Sequence, residues 1–147
     1  MGIGERPPDK LALMTEETAA LRAVLREALR GRQDVHLAVL FGSRARGRRV
    51  RPDSDVDIAV LGEEDLDLLA LGRDLSLATH HEVDVVNLAR DVGYPLLNAI
   101  ARDAVWVHQG RPGAGGRWLS QTLTRLETDR PWYERMRDAY LKKLARG

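Results

Sequence analysis

The stretch LFGSRARGRRVRPDSDVDIAVL, residues 40–61, decides how this chain folds. A β-prone run, VHLAVLF at 35–41, stops abruptly at Gly42, an arginine-rich segment follows, and DVDIAVL at 55–61 is a second β-prone run. Two strands joined by a basic loop is the simplest arrangement. Gly42-Ser43 falls where the chain must turn out of the first strand. Glycine permits close backbone approach there, and freed N–H groups with the Ser43 hydroxyl point at whatever occupies the turn, which makes it a site for an anion. Asp55 and Asp57 take alternate positions of the second strand, so both carboxylates project from one face. Adjacent carboxylates repel unless a cation lies between them. Magnesium suits them, because it takes a few carboxylates together with water and substrate phosphate oxygens.

On the N-terminal side, Thr15 caps a helix that carries Glu16 and Glu17 in its first turn, an apolar stripe of Leu21, Val24, Leu25, Ala28 and Leu29, and a stop at Gly31. On the C-terminal side, Glu63, Glu64 and Asp65 are expected to open a second helix with Leu68, Leu71, Leu75 and Ala78 on one face. EVDVVNL at 82–88 reads as a third strand, with Asp84 between Val83 and Val85. If it neighbours the second strand, three carboxylates converge on one edge of the sheet. A short helix through Leu96, Leu97 and Ile100 precedes a last strand, AVWVH at 104–108. The order helix, strand, strand, helix, strand, helix, strand indicates an α/β or α+β sheet of about four strands with helices packed against it.

GRPGAGG at 110–116 is the one clear break in composition. Beyond it Trp118, Leu119, Leu123, Leu126, Trp132, Tyr133, Met136, Tyr140, Leu141 and Leu144 sit among Arg and Lys, interrupted by Pro131. One or two amphipathic helices covering the sheet is the plainer account. A partner-binding face is the other, because two of the three tryptophans and two of the three tyrosines lie here. The expected organisation is an N-terminal arm over 1–14, a catalytic domain over 15–110, and a helical extension over 111–147 that packs on the domain or on a partner.

Composition narrows the function. A chain of 147 residues, 44% hydrophobic, has room for one compact core, which excludes a multidomain machine. With 23 Lys+Arg against 22 Asp+Glu, blanket neutralisation of nucleic-acid phosphate is excluded too. Basic character is local: five arginines (Arg44, Arg46, Arg48, Arg49, Arg51) stand against Asp53 alone in 44–53, and eight basic residues against four acidic ones from Gly113 onward. The absence of cysteine excludes disulfides, thiolate nucleophiles and Cys-based metal sites. No run is long enough to span a membrane and MGIGERPPDK lacks the apolar stretch of a signal peptide, so a cytoplasmic location is expected.

Taken singly, these signals are weak, since Asp-x-Asp pairs are common in turns and on solvated strand edges. Their conjunction carries the reading. A Gly-Ser turn beside three aspartates describes a two-metal phosphoryl-transfer site, in which one ion lowers the pKa of an attacking hydroxyl and the other neutralises a leaving pyrophosphate. Arg44 and Arg46 add charge-assisted contacts to phosphate.

At these residues the sequence resembles the minimal nucleotidyltransferases of the DNA polymerase beta superfamily. Phe41-Gly42-Ser43-Arg44-Ala45-Arg46-Gly47 and Pro52-Asp53-Ser54-Asp55-Val56-Asp57 carry that family's motif, and the likeness spans Val35 to His108. The resemblance implies a polymerase-beta-like fold, a mixed sheet flanked by helices with a C-terminal amphipathic extension. It implies that Gly42 and Ser43 hold the nucleotide's terminal phosphates, that Asp55 and Asp57 bind both magnesium ions, and that Asp84 binds the catalytic one and helps activate the acceptor hydroxyl. One departure is visible: eleven residues, Arg44 to Ser54, separate Ser43 from Asp55, slightly more than is usual, and no phosphate-binding role is assigned to Arg48 or Arg49.

Within that family the chain is similar to MntA-type adenylyltransferase antitoxins, which transfer AMP from ATP to a tyrosine of a HEPN toxin. The implied partner is thus a HEPN-type protein, in a hetero-oligomer. The short length agrees, because little chain remains for an acceptor-binding domain. The rival expectation is a non-catalytic antitoxin or scaffold that binds through its C-terminal region, and direct binding of RNA or DNA is the weakest reading. Two distractors are set aside. His80 and His81 are adjacent, so they point to opposite sides of a strand and do not share an ion. Arg102 and His108 roughly fit the spacing of a HEPN ribonuclease motif, but AVWV between them reads as a strand where that motif needs a helix.

Overall fold

The computed structural model describes residues 14–46, 55–90 and 92–146. All but Met14 of the expected arm lies outside the described residues. So do the loop 47–54, with Arg48, Arg49, Arg51 and Asp53, and the side chain of Arg46. Helix α1 (Glu16–Leu29) leads into β1 (Val35–Phe41), a single turn α2 (Ser43–Arg46), β2 (Val56–Gly62), α3 (Leu68–Thr79), β3 (Val83–Asn87), α4 (Tyr94–Asp103), β4 (Val105–His108) and α5 (Ala114–Arg146). The sheet order is β3-β2-β1-β4. β1 runs antiparallel to both β2 and β4, whereas β2 and β3 are parallel. The fold is a four-stranded mixed sheet with helices and a long C-terminal helix.

Helices cover both faces of the sheet, which is why β1 reads as a near-continuous apolar run. On one side Val35, Ala38 and Leu40 of β1 and Val56, Ile58 and Val60 of β2 pack with Leu25 and Leu29 of α1 and Leu71 and Leu75 of α3. On the other, Leu37, Val39, Phe41 and Ala59 pack with Leu97 and Ile100 of α4 and Trp118 and Leu126 of α5, and Trp106 meets Trp118 edge to face at 6.1 Å.

Local chemistry sets the helix starts. The Thr15 hydroxyl accepts from the Thr18 N–H at 3.1 Å, as an N-cap should. The expected second helix starts later than Glu63, because the Asp67 carboxylate accepts from the Ala70 N–H at 3.0 Å and caps α3 instead. Beyond the glycine-rich turn stands one helix of 33 residues, and Pro131 lies inside it. Its buried residues end at Leu126, so past that point the missing proline N–H costs a hydrogen bond at the surface and leaves the core untouched. Among the described residues no helix is long and apolar enough to cross a membrane.

Ile58 is fully buried on a central strand. Ile58→Ala is expected to lower unfolding free energy by about 2–5 kcal/mol, read from urea denaturation as a shifted midpoint with an unchanged slope.

Candidate active site

Gly42 immediately follows β1 with φ at +79°, in the left-handed region that glycine enters without strain. Its second reason for being glycine is lateral. Phe41 is paired with Asp57 across the β1–β2 ladder, and a Cβ on residue 42 would stand 2.5 Å from the Asp57 Oδ2. The carboxylate therefore lies against the bare backbone of the turn. Ser43 opens the single turn α2, closed by an Ala45 N–H donating to the Gly42 carbonyl at 3.1 Å.

The next ladder carries the register onward, since Asp57 of β2 is paired with Asp84 of β3. Val56, Ile58, Val83 and Val85 all pack on the α1–α3 side. By alternation Asp57 and Asp84 project on the opposite face, with Asp55 two residues before Asp57. Asp55 immediately precedes β2 rather than lying within it. Asp55 and Asp84 are exposed and Asp57 is half-buried. The backbone thus aligns the three positions, but among the described residues no three His, Asp or Glu side chains gather closely enough to hold a metal ion. The donor set still fits magnesium: three hard oxygen ligands at the end of the sheet, with no side chain at residue 42 to intrude on Asp57.

Two residues that steady the turn escape a motif search. The buried Thr18 hydroxyl donates to the Arg44 carbonyl at 2.6 Å and receives a hydrogen bond from the Thr15 hydroxyl at 2.9 Å, tying α1 to the segment after Gly42. The available signal is positional, since Thr18 continues the apolar stripe of Leu21, Leu25 and Leu29, where a polar residue calls for a partner. His81, beside His80, lies with Nδ1 3.5 Å from an Arg44 Nη, while His80 ends α3 in the left-handed conformation, φ +58°. The two histidines thus face different tasks. Arg102 lies in the last turn of α4 and His108 ends β4, so a strand does separate them. Displaced pKa values appear at the other end of the sheet. Hydrogen bonding to His36 holds the Glu63 carboxyl below its usual range, and Arg32 does the same for Asp34.

With this fold and edge in place, the chain belongs to the nucleotidyltransferase family described as "Polymerase beta, Nucleotidyltransferase", which it matches over residues 24–109. Among solved structures it is similar to a chain of a toxin–antitoxin crystallised with AMP-PNP, at 22% identity and TM-score 0.67, covering 82% of this chain and 98% of that one. A chain of the toxin–antitoxin MntA-HepT is similar at 20% identity and TM-score 0.63, covering 84% and 98%. So is a chain of the tri-AMPylated Shewanella oneidensis HEPN toxin in complex with MNT antitoxin, at 20% identity and TM-score 0.58, covering 85% and 96%. At such identities the likeness establishes a shared fold. No curated protein matches the chain significantly.

Gly42→Ala introduces about 1–2 kcal/mol of left-handed strain and drives a methyl group into the Asp57 carboxylate. Thr18→Val removes the donor to the Arg44 carbonyl, worth about 1–3 kcal/mol. Both variants should melt below the wild type in calorimetry, and wild-type stability in both would show that the turn is not held in this way.

Proposed function

We propose that this chain is a magnesium-dependent adenylyltransferase that moves AMP from ATP to a hydroxyl, that of a tyrosine, on a HEPN-type partner, as the antitoxin of the pair. The observation that carries this reading is the alignment of Asp57 and Asp84 on adjacent strands beside the turn at Gly42. Family membership supports nucleotidyl transfer in general. The AMP-PNP complex and the AMPylated toxin among structurally similar proteins support ATP as donor and a protein as acceptor.

In this reading Gly42 and Ser43 receive the terminal phosphates, the glycine by letting backbone N–H groups approach and the serine through its hydroxyl. Arg44 and Arg46 bring positive charge to the same phosphates. Asp55, Asp57 and Asp84 would hold magnesium, which supplies charge neutralisation and lowers the pKa of the attacking hydroxyl. Asp84 lies nearest the sheet edge, where it orients the acceptor. The acceptor hydroxyl gives its proton to a carboxylate of the site, its oxygen forms a bond to the α-phosphorus, the bond from that phosphorus to the α–β bridging oxygen breaks, and pyrophosphate leaves with that oxygen.

Incubation with ATP, Mg²⁺ and the HEPN-type protein of the same source genome should add the mass of AMP to that protein, seen by intact mass spectrometry. Asp55→Asn with Asp57→Asn should slow transfer by about a thousandfold, since charge stabilisation of several kcal/mol is removed. Equal transfer by that double variant, or none by the wild type, ends the proposal.

A binding contribution from α5 is carried by its own observation. Trp132, Met136, Tyr140 and Leu144 recur every fourth residue and are each more than half exposed. Met136→Glu with Tyr140→Glu should weaken partner binding in calorimetric titration at least tenfold without lowering thermal stability. Unchanged affinity would confine the partner's contacts to the catalytic domain.

A further inference from the structure

The sheet order leaves β3 at an edge. In a parallel ladder the N–H and C=O of one residue point together to one side and those of the next to the other. The Val56 N–H donates to the Glu82 carbonyl at 2.9 Å and the Leu88 N–H to the Val60 carbonyl at 2.8 Å. Even-numbered residues of β3 therefore bond toward β2, and the backbone of Val83, Val85 and Asn87 faces outward. The outward N–H of Val83 is taken by the Ser76 Oγ at 3.1 Å. Val85 presents both its N–H and its C=O at the edge.

Beside that edge, α3 and β3 enclose a groove of about 560 Å³ lined by Leu69, Gly72, Leu77, Val83 and Val85 and reached by Asp84. Leu69 and Leu77 are the two most exposed large apolar side chains among the described residues, at 77% and 76%. The rim carries Arg73 and Glu82 as well as Asp84, so charges of both signs border the apolar floor.

We infer that this edge receives an extended segment of the acceptor protein as an added strand, with an apolar side chain of that segment seated between Leu69 and Leu77. The inference rests on the transfer reading and deepens it. Across the sheet the order is Gly42, Asp57, Asp84. With the nucleotide's phosphates at Gly42 and the attacking and leaving oxygens roughly in line, the acceptor hydroxyl approaches from the β3 side. A strand added to β3 alternates its side chains between two faces. The residue level with Asp84 projects onto the carboxylate face, and its neighbours project toward α3, into the groove. The acceptor hydroxyl therefore belongs to a residue in extended chain with a large apolar residue immediately before or after it.

The chain contains no cysteine, so Leu77→Cys bearing a benzophenone label reports from the groove alone. With full-length protein and the HEPN-type protein of the same genome, illumination should link position 77 to the partner segment that holds the modified hydroxyl. Adding the partner should also protect the outward amides of Val85 and Asn87 from hydrogen exchange. Leu69→Lys with Leu77→Lys, both at exposed positions, should raise KM for the partner at least tenfold while leaving AMP-PNP affinity unchanged. Crosslinks to a second copy of this chain, or only to partner segments remote from the modified residue, overturn the inference, as does an unchanged KM. The two ideas separate cleanly. If the wild type transfers no AMP yet position 77 links the partner in an extended segment, the transfer reading fails and the docking edge stands; if transfer proceeds with the groove unused, the docking edge fails alone.

Discussion

The contact on which the site depends is the close approach of the Asp57 carboxylate to the bare Cα of Gly42. It exists because β1 ends at the Phe41–Asp57 pair, so that Gly42 turns away beside Asp57, and the neighbouring ladder then sets Asp84 level with Asp57. Strand registers alternate side chains with a period of two, so a slip of one residue in either ladder would turn a carboxylate into the apolar face and a valine out of it. The hydrophobic layers therefore do more than stabilise the sheet. By requiring Val56, Ile58, Val83 and Val85 on the α1–α3 side, they fix where Asp57 and Asp84 emerge.

The same logic explains why Asp55, Asp57 and Asp84 lie at one end of the sheet. Strand interiors are sealed on both faces by helices, leaving no solvent for a charge. At the end of the sheet the carboxylates reach water, and the turn after β1 leaves its backbone accessible. Helix α1 then closes the arrangement from behind, because Thr18 grips the Arg44 carbonyl and so couples the turn to the packing of Leu25 and Leu29.

Much of this was legible in the residues. VHLAVLF coincides with β1 and AVWVH with β4 to within one residue, because a continuous apolar run bounded by turn residues has few other uses. Thr15 announces its cap, and Asp57 and Asp84 fall on adjacent strands beside the turn at Gly42. What stayed hidden was non-local. Glu63, Glu64 and Asp65 have the composition of a helix start, but the competing cap at Asp67 is decided by which side chain reaches a free N–H. Thr18 shows its importance only once Arg44 is brought to it across 26 residues. Pro131 reads as a break, yet past Leu126 the helix is largely solvated, where an orphaned carbonyl finds water. Whether the three carboxylates can close on one ion is a matter of side-chain placement, which spacing along the chain does not contain.

Helix α5 is rooted by Trp118, Thr122 and Leu126, is held once more where Tyr133 stacks on Tyr94 of α4 at 4.4 Å, and continues beyond that as an exposed rod. At 1.5 Å per residue the whole element is about 50 Å long. A molecule gripping that rod would be held by the same protein that carries the carboxylates, so a second contact there would be made within one complex. Under such tethering the contact made next to Asp84 can be weak and short-lived. In the transfer reading proposed above, a target held by that surface would release each modified group from the carboxylates while staying bound, so that successive groups on one captured molecule could visit them in turn.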